Sequence, residues 1–181
     1  MTEGKEAFAL AERLKDDTVW KTANLTGLNV PYDSASTVAL KGIGLKGRPV
    51  EETILLYRLA NAWDTMLANP NHPLDGDMFD CYRTILGSPE GIRSPERMSS
   101  PTEETAIEEF IRIYPKDPLL AAICANHLLV NGNIGLLAVY PRQSNELKTR
   151  TEDGDSNWIG YHAIELLPGG LTRERMKEYG R

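Results

Sequence analysis

The chain has 181 residues, 41% hydrophobic and 25% charged, which suits one globular domain with its own core and argues against wholesale disorder. Twenty Lys and Arg against 26 Asp and Glu leave a net charge of −6, without the basic footprint of a nucleic-acid binder. Two cysteines form no disulfide framework, the polar start Met1 to Glu6 opens no signal peptide, and the longest apolar stretch, Pro118 to Val130, is too short for a bilayer. A reduced, cytoplasmic protein with neither membrane nor nucleic acid as partner is expected.

Taken in chain order, the pattern is helical. Phe8, Ala11 and Leu14, with Ala7 and Leu10, predict a helix from Lys5 to Leu25, with Gly27 as its stop. Asp33 or Ser34 can cap a short helix through Leu40, and Lys41 to Arg48 reads as a glycine-rich loop. Pro49 opens a long helix striped by Leu55, Leu59, Ala62 and Met66, which Asn69-Pro70 ends; a second runs from Asp75 to Leu86 against Gly87. Gly87 to Ser99 is loop-like. Ser100-Pro101-Thr102-Glu103 has the form of a cap, a first-turn proline and a capping box. Asp117-Pro118 repeats the cap-plus-proline signal before a helix that is apolar nearly all round, the kind that lies at a domain centre, with Gly132 as its stop. Ile134 to Tyr140 reads as extended, Ser144 to Thr149 and Ser156 to Leu167 as helices, and Thr172 to Tyr179 as a surface helix. Seven to nine helices and at most one small hairpin make the fold class all-α.

Several chemical motifs fail on context. Gly42-Ile43-Gly44-Leu45-Lys46-Gly47 has dinucleotide-fingerprint spacing, but a helix precedes it and Arg48-Pro49 follows, so it reads as a loop. His72, His127 and His162 are too scattered for a metal site. Cys124, inside the apolar helix, reads as an inert core thiol. Asn24-Leu25-Thr26 is a formal glycosylation sequon without meaning in a chain that is not secreted.

A different set of residues carries more. Thr22-Ala23-Asn24-Leu25-Thr26-Gly27, the segment from Asn29 to Gly42, the helix from Pro49 to Trp63, Gly91-Ile92-Arg93, Ala106-Ile107-Glu108, Asn126-His127-Leu128-Leu129, Gly132, Gly135-Leu136-Leu137 and Val139-Tyr140-Pro141 follow one another in an order that resembles Fic (Fido-domain) proteins over residues 15 to 170. In this resemblance Thr22, Thr26 and Gly27 stand at the inhibitory-helix motif, and Gly91 and Arg93 at the target-docking flap. It implies one domain over 1–181: an N-terminal inhibitory-type region at 1–48, a Fic core at 49–170 and a tail at 171–181.

The family implies a reaction. Its members mostly transfer AMP from ATP to a protein hydroxyl through a motif HxFx(D/E)GNGRxxR. The His is general base, the acid holds Mg²⁺, Gly-Asn and the next helix start cradle the phosphates, and Arg binds them. An inhibitory Glu occupies that Arg. This sequence departs from the pattern in either of two registers. One keeps His127 and Gly132-Asn133 but puts Asn131 for the acid and Gly135 for the Arg. The other places the motif between Phe110 and Leu120, where no His, Gly or Asn occurs and the segment is too short for the loop. We prefer the second, which accounts for more residues on its C-terminal side.

Both registers point to lost activity. Asp117 can cap its helix with its own carboxylate, satisfying the N–H groups and repelling phosphate. Thr26 stands where the inhibitory Glu would be, and with no Arg to occupy that Glu has no task. Plainer readings stand beside these: His127 as a core residue, Thr22 and Thr26 as packing residues, Arg93 and Arg97 as solvated charges. The sequence therefore predicts a binding or regulatory module with a protein partner, no cofactor and no metal. The alternative is an active adenylyltransferase using His127 with Asn131, Gly132 and Asn133 as a reduced nucleotide loop, which would need ATP and Mg²⁺. A third reading is a helical interaction domain whose likeness to Fic is coincidental.

Overall fold

The computed structural model describes residues 6–26, 29–41 and 47–179, and among these it has ten α-helices and one two-stranded sheet. The helices are α1 (Glu6–Arg13), α2 (Lys15–Ala23), α3 (Tyr32–Lys41), α4 (Val50–Ala68), α5 (Gly76–Leu86), α6 (Glu103–Ile113), α7 (Pro118–Asn131), α8 (Ser144–Glu152), α9 (Ser156–His162) and α10 (Arg173–Tyr179). The strands are β1 (Gly135–Leu137) and β2 (Ile164–Leu166). The fold is all-α, as the periodicity predicts. No helix among the described residues is long and apolar enough to cross a membrane.

The all-round apolar sequence of α7 dictates its place. Every residue from Leu119 to Val130 is buried, and α1, α2, α4, α5, α6 and β1 all pack on it. Its neighbours are one-sided: α6 turns Ala106, Ile107, Phe110 and Ile113 inward, and α4 turns Leu56, Leu59, Trp63 and Met66 inward. An apolar stripe must be covered, and α7 is the common cover.

Several predicted ends hold. Asp75 Oδ1 accepts from Met78 N at 2.9 Å, and Gly87 closes α5 at φ 65°, a conformation a side chain would strain. Three predictions need correction. The first helix breaks at Leu14, which brings the α-helices among the described residues to ten where seven to nine are expected. The Ala11 carbonyl, which a continuous helix would offer to Lys15, accepts the buried Trp63 indole N–H at 3.1 Å. The cap of α6 is Thr102 rather than Ser100, in a reciprocal box with Thr105; Pro101 is buried ahead of the helix instead. The segment predicted as a helix to Leu167 ends at His162 and becomes β2, which pairs antiparallel with β1, Gly135 opposite Leu166 and Leu137 opposite Ile164. The two strands are separated by α8 and α9, so they form no local hairpin.

The N-terminal helices are fastened to the core. Buried Lys21 on α2 lies 3.3 Å from Glu165 Oε1 on β2 and 2.8 Å from Asp17 Oδ2, with the Tyr140 ring centroid 4.2 Å from its ammonium. Burial opposes the charge on Lys21, but Glu165 and Asp17 outweigh it and raise its pKa.

Candidate functional site

The two registers correspond to opposite ends of α7. At its C-terminal end, His127 is 1% exposed. Its Nε2 donates to the His72 carbonyl at 2.6 Å, so Nδ1 accepts from the Tyr82 hydroxyl, also at 2.6 Å. Burial lowers the His127 pKa and raises that of the Tyr82 phenol, so the pair is neutral and both ring nitrogens are engaged. Asn131 Nδ2 donates to the Pro70 carbonyl at 3.2 Å. Gly132 lies where a Cβ would come within 2.5 Å of the Pro101 carbonyl oxygen. Asn133, at φ 54°, accepts the Ala7 N–H through Oδ1 at 2.9 Å and donates to Glu6 Oε2 at 2.9 Å, fastening the start of α1. The Asn-Gly-Asn run is thus spent on joining α1, the Pro70 turn and Pro101 to α7.

At the N-terminal end, only Tyr114 to Asp117 separates α6 from α7. Asp117 Oδ1 accepts from Leu119 N at 3.0 Å and Leu120 N at 3.2 Å, so the helix start is filled by its own side chain. The predicted flap residues lie close by: the Arg93 carbonyl accepts from Arg112 Nη1 at 2.8 Å and the Gly91 carbonyl from Lys116 Nζ at 3.4 Å. Thr26 also arrives here, whereas Thr22 is buried in α2 and Gly27 lies outside the described residues. So does the glycine-rich loop from Gly42 to Lys46. The sequon residue Asn24 is buried, its side chain bonded to Trp20 O, Val30 O and Val30 N.

Thr26 borders an open cleft of about 470 Å³ whose other walls are Leu25, the Tyr114-Pro115 turn and Pro118, and the α8 face of Ser144, Asn145, Lys148 and Glu152. Tyr114 is only 6% exposed and packs on Phe110, ring centroids 5.3 Å apart. Burial, and then Glu152, push its phenol pKa up, so it stays an O–H at neutral pH. The cleft walls hold hydroxyls, a carboxamide, an ammonium and a carboxylate, but no histidine, cysteine or arginine. That set suits binding better than proton transfer near neutrality.

Two other cavities are less suited. The larger, about 610 Å³ between α6, α9 and α10, contains Arg173, which is committed to both Glu103 oxygens and the Gly160 carbonyl. A cavity of about 280 Å³ touches Asn131 and Arg97 but not His127. Among the described residues, no group of three or more His, Cys, Asp or Glu is placed to hold a metal ion.

Sequence reasoning missed Tyr114, Asn145, Lys148 and Glu152 as cleft residues. The only signal in α8 is a polar helix with two buried positions, Leu147 and Thr151, which says nothing of what its other face meets.

No family model matches this chain, and no curated protein matches its sequence. Among solved structures it is similar to a Fic domain-containing signalling protein from Bacteroides thetaiotaomicron, with a TM-score of 0.61 at 12% identity, over 91% of this chain and 78% of that one. The likeness extends over about nine-tenths of the chain, which has the fold of a Fic domain-containing protein.

Proposed function

We propose that the chain is a binding or regulatory module on a Fic fold, with AMP transfer lost. The observation that carries this reading is the start of α7, where Asp117 supplies to the free amides the negative charge that a phosphate would otherwise bring. The residues here do not fit a magnesium nucleotide. The one carboxylate at the turn already accepts two amides through Oδ1, and α7 contains no arginine or lysine. The four residues from Tyr114 to Asp117 leave no glycine-asparagine loop. Thr26 faces this end without the carboxylate that an inhibitory helix would aim at an arginine, which agrees with the arginine being absent.

The alternative, an adenylyltransferase working through His127, requires the imidazole to leave both the Tyr82 hydroxyl and the His72 carbonyl. Incubation with Mg²⁺ and α-labelled ATP tests the choice. The expected result is no label on the chain or on added proteins; label abolished by His127→Gln in a folded variant would overturn the reading.

A further inference from the structure

The cleft beside Tyr114 carries groups that the lost reaction does not explain. The Tyr114 side chain is more than nine-tenths buried, yet it borders the cleft and its hydroxyl has no hydrogen-bond partner among the described residues. The hydroxyl oxygen is not among the fully buried unpaired atoms, so this otherwise buried residue keeps its polar tip in contact with solvent, beside the cleft that it borders. On the opposite wall, Lys148 and Glu152 are exposed, and neither forms an ion pair among the described residues. They stand one helical turn apart, a rise of about 6 Å. Asn145, one turn earlier, adds a carboxamide that both donates and accepts. Pro115 and Pro118 form an apolar side of the cleft and present no N–H of their own.

We propose that this cleft binds an extended peptide segment of a protein partner, with one acidic and one basic side chain two residues apart. In an extended chain, side chains at i and i+2 point the same way and are about 6.6–6.8 Å apart, close to the separation of Lys148 and Glu152 along α8. The acidic side chain meets Lys148, the basic one meets Glu152, the Tyr114 hydroxyl bonds the backbone between them, and the Asn145 carboxamide holds the backbone beyond the acidic residue. Charge order along the peptide is therefore the specificity element. The proposal rests on the binding-module reading and names its partner's chemistry.

The test is an NMR titration of the full chain with four probes. Two are the acetylated, amidated pentapeptides Gly-Arg-Ala-Glu-Gly and Gly-Glu-Ala-Arg-Gly; the third is free arginine with glutamate, and the fourth is magnesium ATP. The expected result is that one pentapeptide shifts the Asn145 and Lys148 resonances and binds at least about tenfold more tightly than its reversed partner. The paired exchange Lys148→Glu with Glu152→Lys inverts that preference. Tyr114→Phe weakens binding by about fivefold or more without lowering the melting temperature, since the lost hydroxyl serves the ligand and not the fold. Silence of both peptides, a preference that the exchange does not invert, or an unchanged affinity in Tyr114→Phe overturns the proposal. Equal binding of the free amino acids overturns it in favour of a small-zwitterion site. Magnesium ATP shifting the same resonances contradicts the loss of nucleotide binding itself, whereas silence of ATP and peptides together leaves that reading standing and removes only this proposal.

Discussion

The two ends of α7 differ in what their polar groups are used for. At the C-terminal end, His127, Asn131 and Asn133 each have protein partners, and the imidazole is neutral and enclosed. At the N-terminal end Asp117 caps the helix, but the cleft around it holds a phenol, an ammonium and a carboxylate that have neither hydrogen bond nor ion pair among the described residues. His127, Asn131 and Asn133, which read as chemistry in the sequence, are bonded within the protein, while Lys148 and Glu152, which read as ordinary surface, line the cleft. Motif likeness reports residue type; only partners and exposure tell whether a group is free to act.

The sharpest test of how firmly the N-terminal helices belong to this arrangement is the buried pair outside both ends. Lys21→Met leaves Glu165 buried without its cation and should cost about 3–5 kcal/mol in urea unfolding. Lys21→Met with Glu165→Leu should recover most of that loss. A single substitution costing less than about 1 kcal/mol would show that the pair does not fasten α2.

Next in size is the enclosed histidine. His127→Ala strands the Tyr82 hydroxyl and the His72 carbonyl and opens a cavity, with an expected cost of about 2–4 kcal/mol. If His127 were a free catalytic group, the variant would instead keep its stability and lose an activity. The same residue sets a pH dependence. Its folded pKa is lowered by burial, so as pH falls below the ordinary histidine range the unfolded chain takes up the proton first. The contribution is complete above about pH 6.5 and declines below it, by at most about 1.4 kcal/mol per pH unit, until the folded pKa is passed. Chemical unfolding from pH 7.5 to 5 should show that decline, and His127→Gln should remove this component of it.

The smallest expected effect is at the other end. Asp117→Ala removes a helix cap and should cost about 1 kcal/mol, measured as a shift in the urea midpoint. Asp117→Asn, which keeps the accepting oxygen, should cost less. An equal loss in both would mean that charge at the helix start, and not the hydrogen bonds, is what matters there.

Much of the fold is legible because it depends on local rules. The cap at Asp117, the helix start near Asp75, the stop at Gly87 and the central place of α7 follow from neighbouring residues alone. The break at Leu14 is not local, since the Trp63 indole that takes the Ala11 carbonyl is 52 residues away. Nor is β2, whose Ile164–Leu166 run reads as the end of a helix until β1 is there to pair with it. The cleft is harder still. Thr26, Tyr114 and Lys148 come from three segments that share no spacing pattern, and nothing in α8 marks Lys148 as different from any exposed lysine. Lys21 and Glu165, 144 positions apart, are unreadable as a pair for the same reason.

The central claim is that the start of α7 is closed to nucleotide, and the most direct measurement is the melting temperature of the chain with and without magnesium ATP. A ligand that binds only the native state must stabilise it, by about 2.7 kcal/mol at a hundredfold excess over its dissociation constant. No change in melting temperature is expected at millimolar ATP. A saturable rise, lost when Asp117 or Thr26 is replaced by a bulky residue, would contradict it.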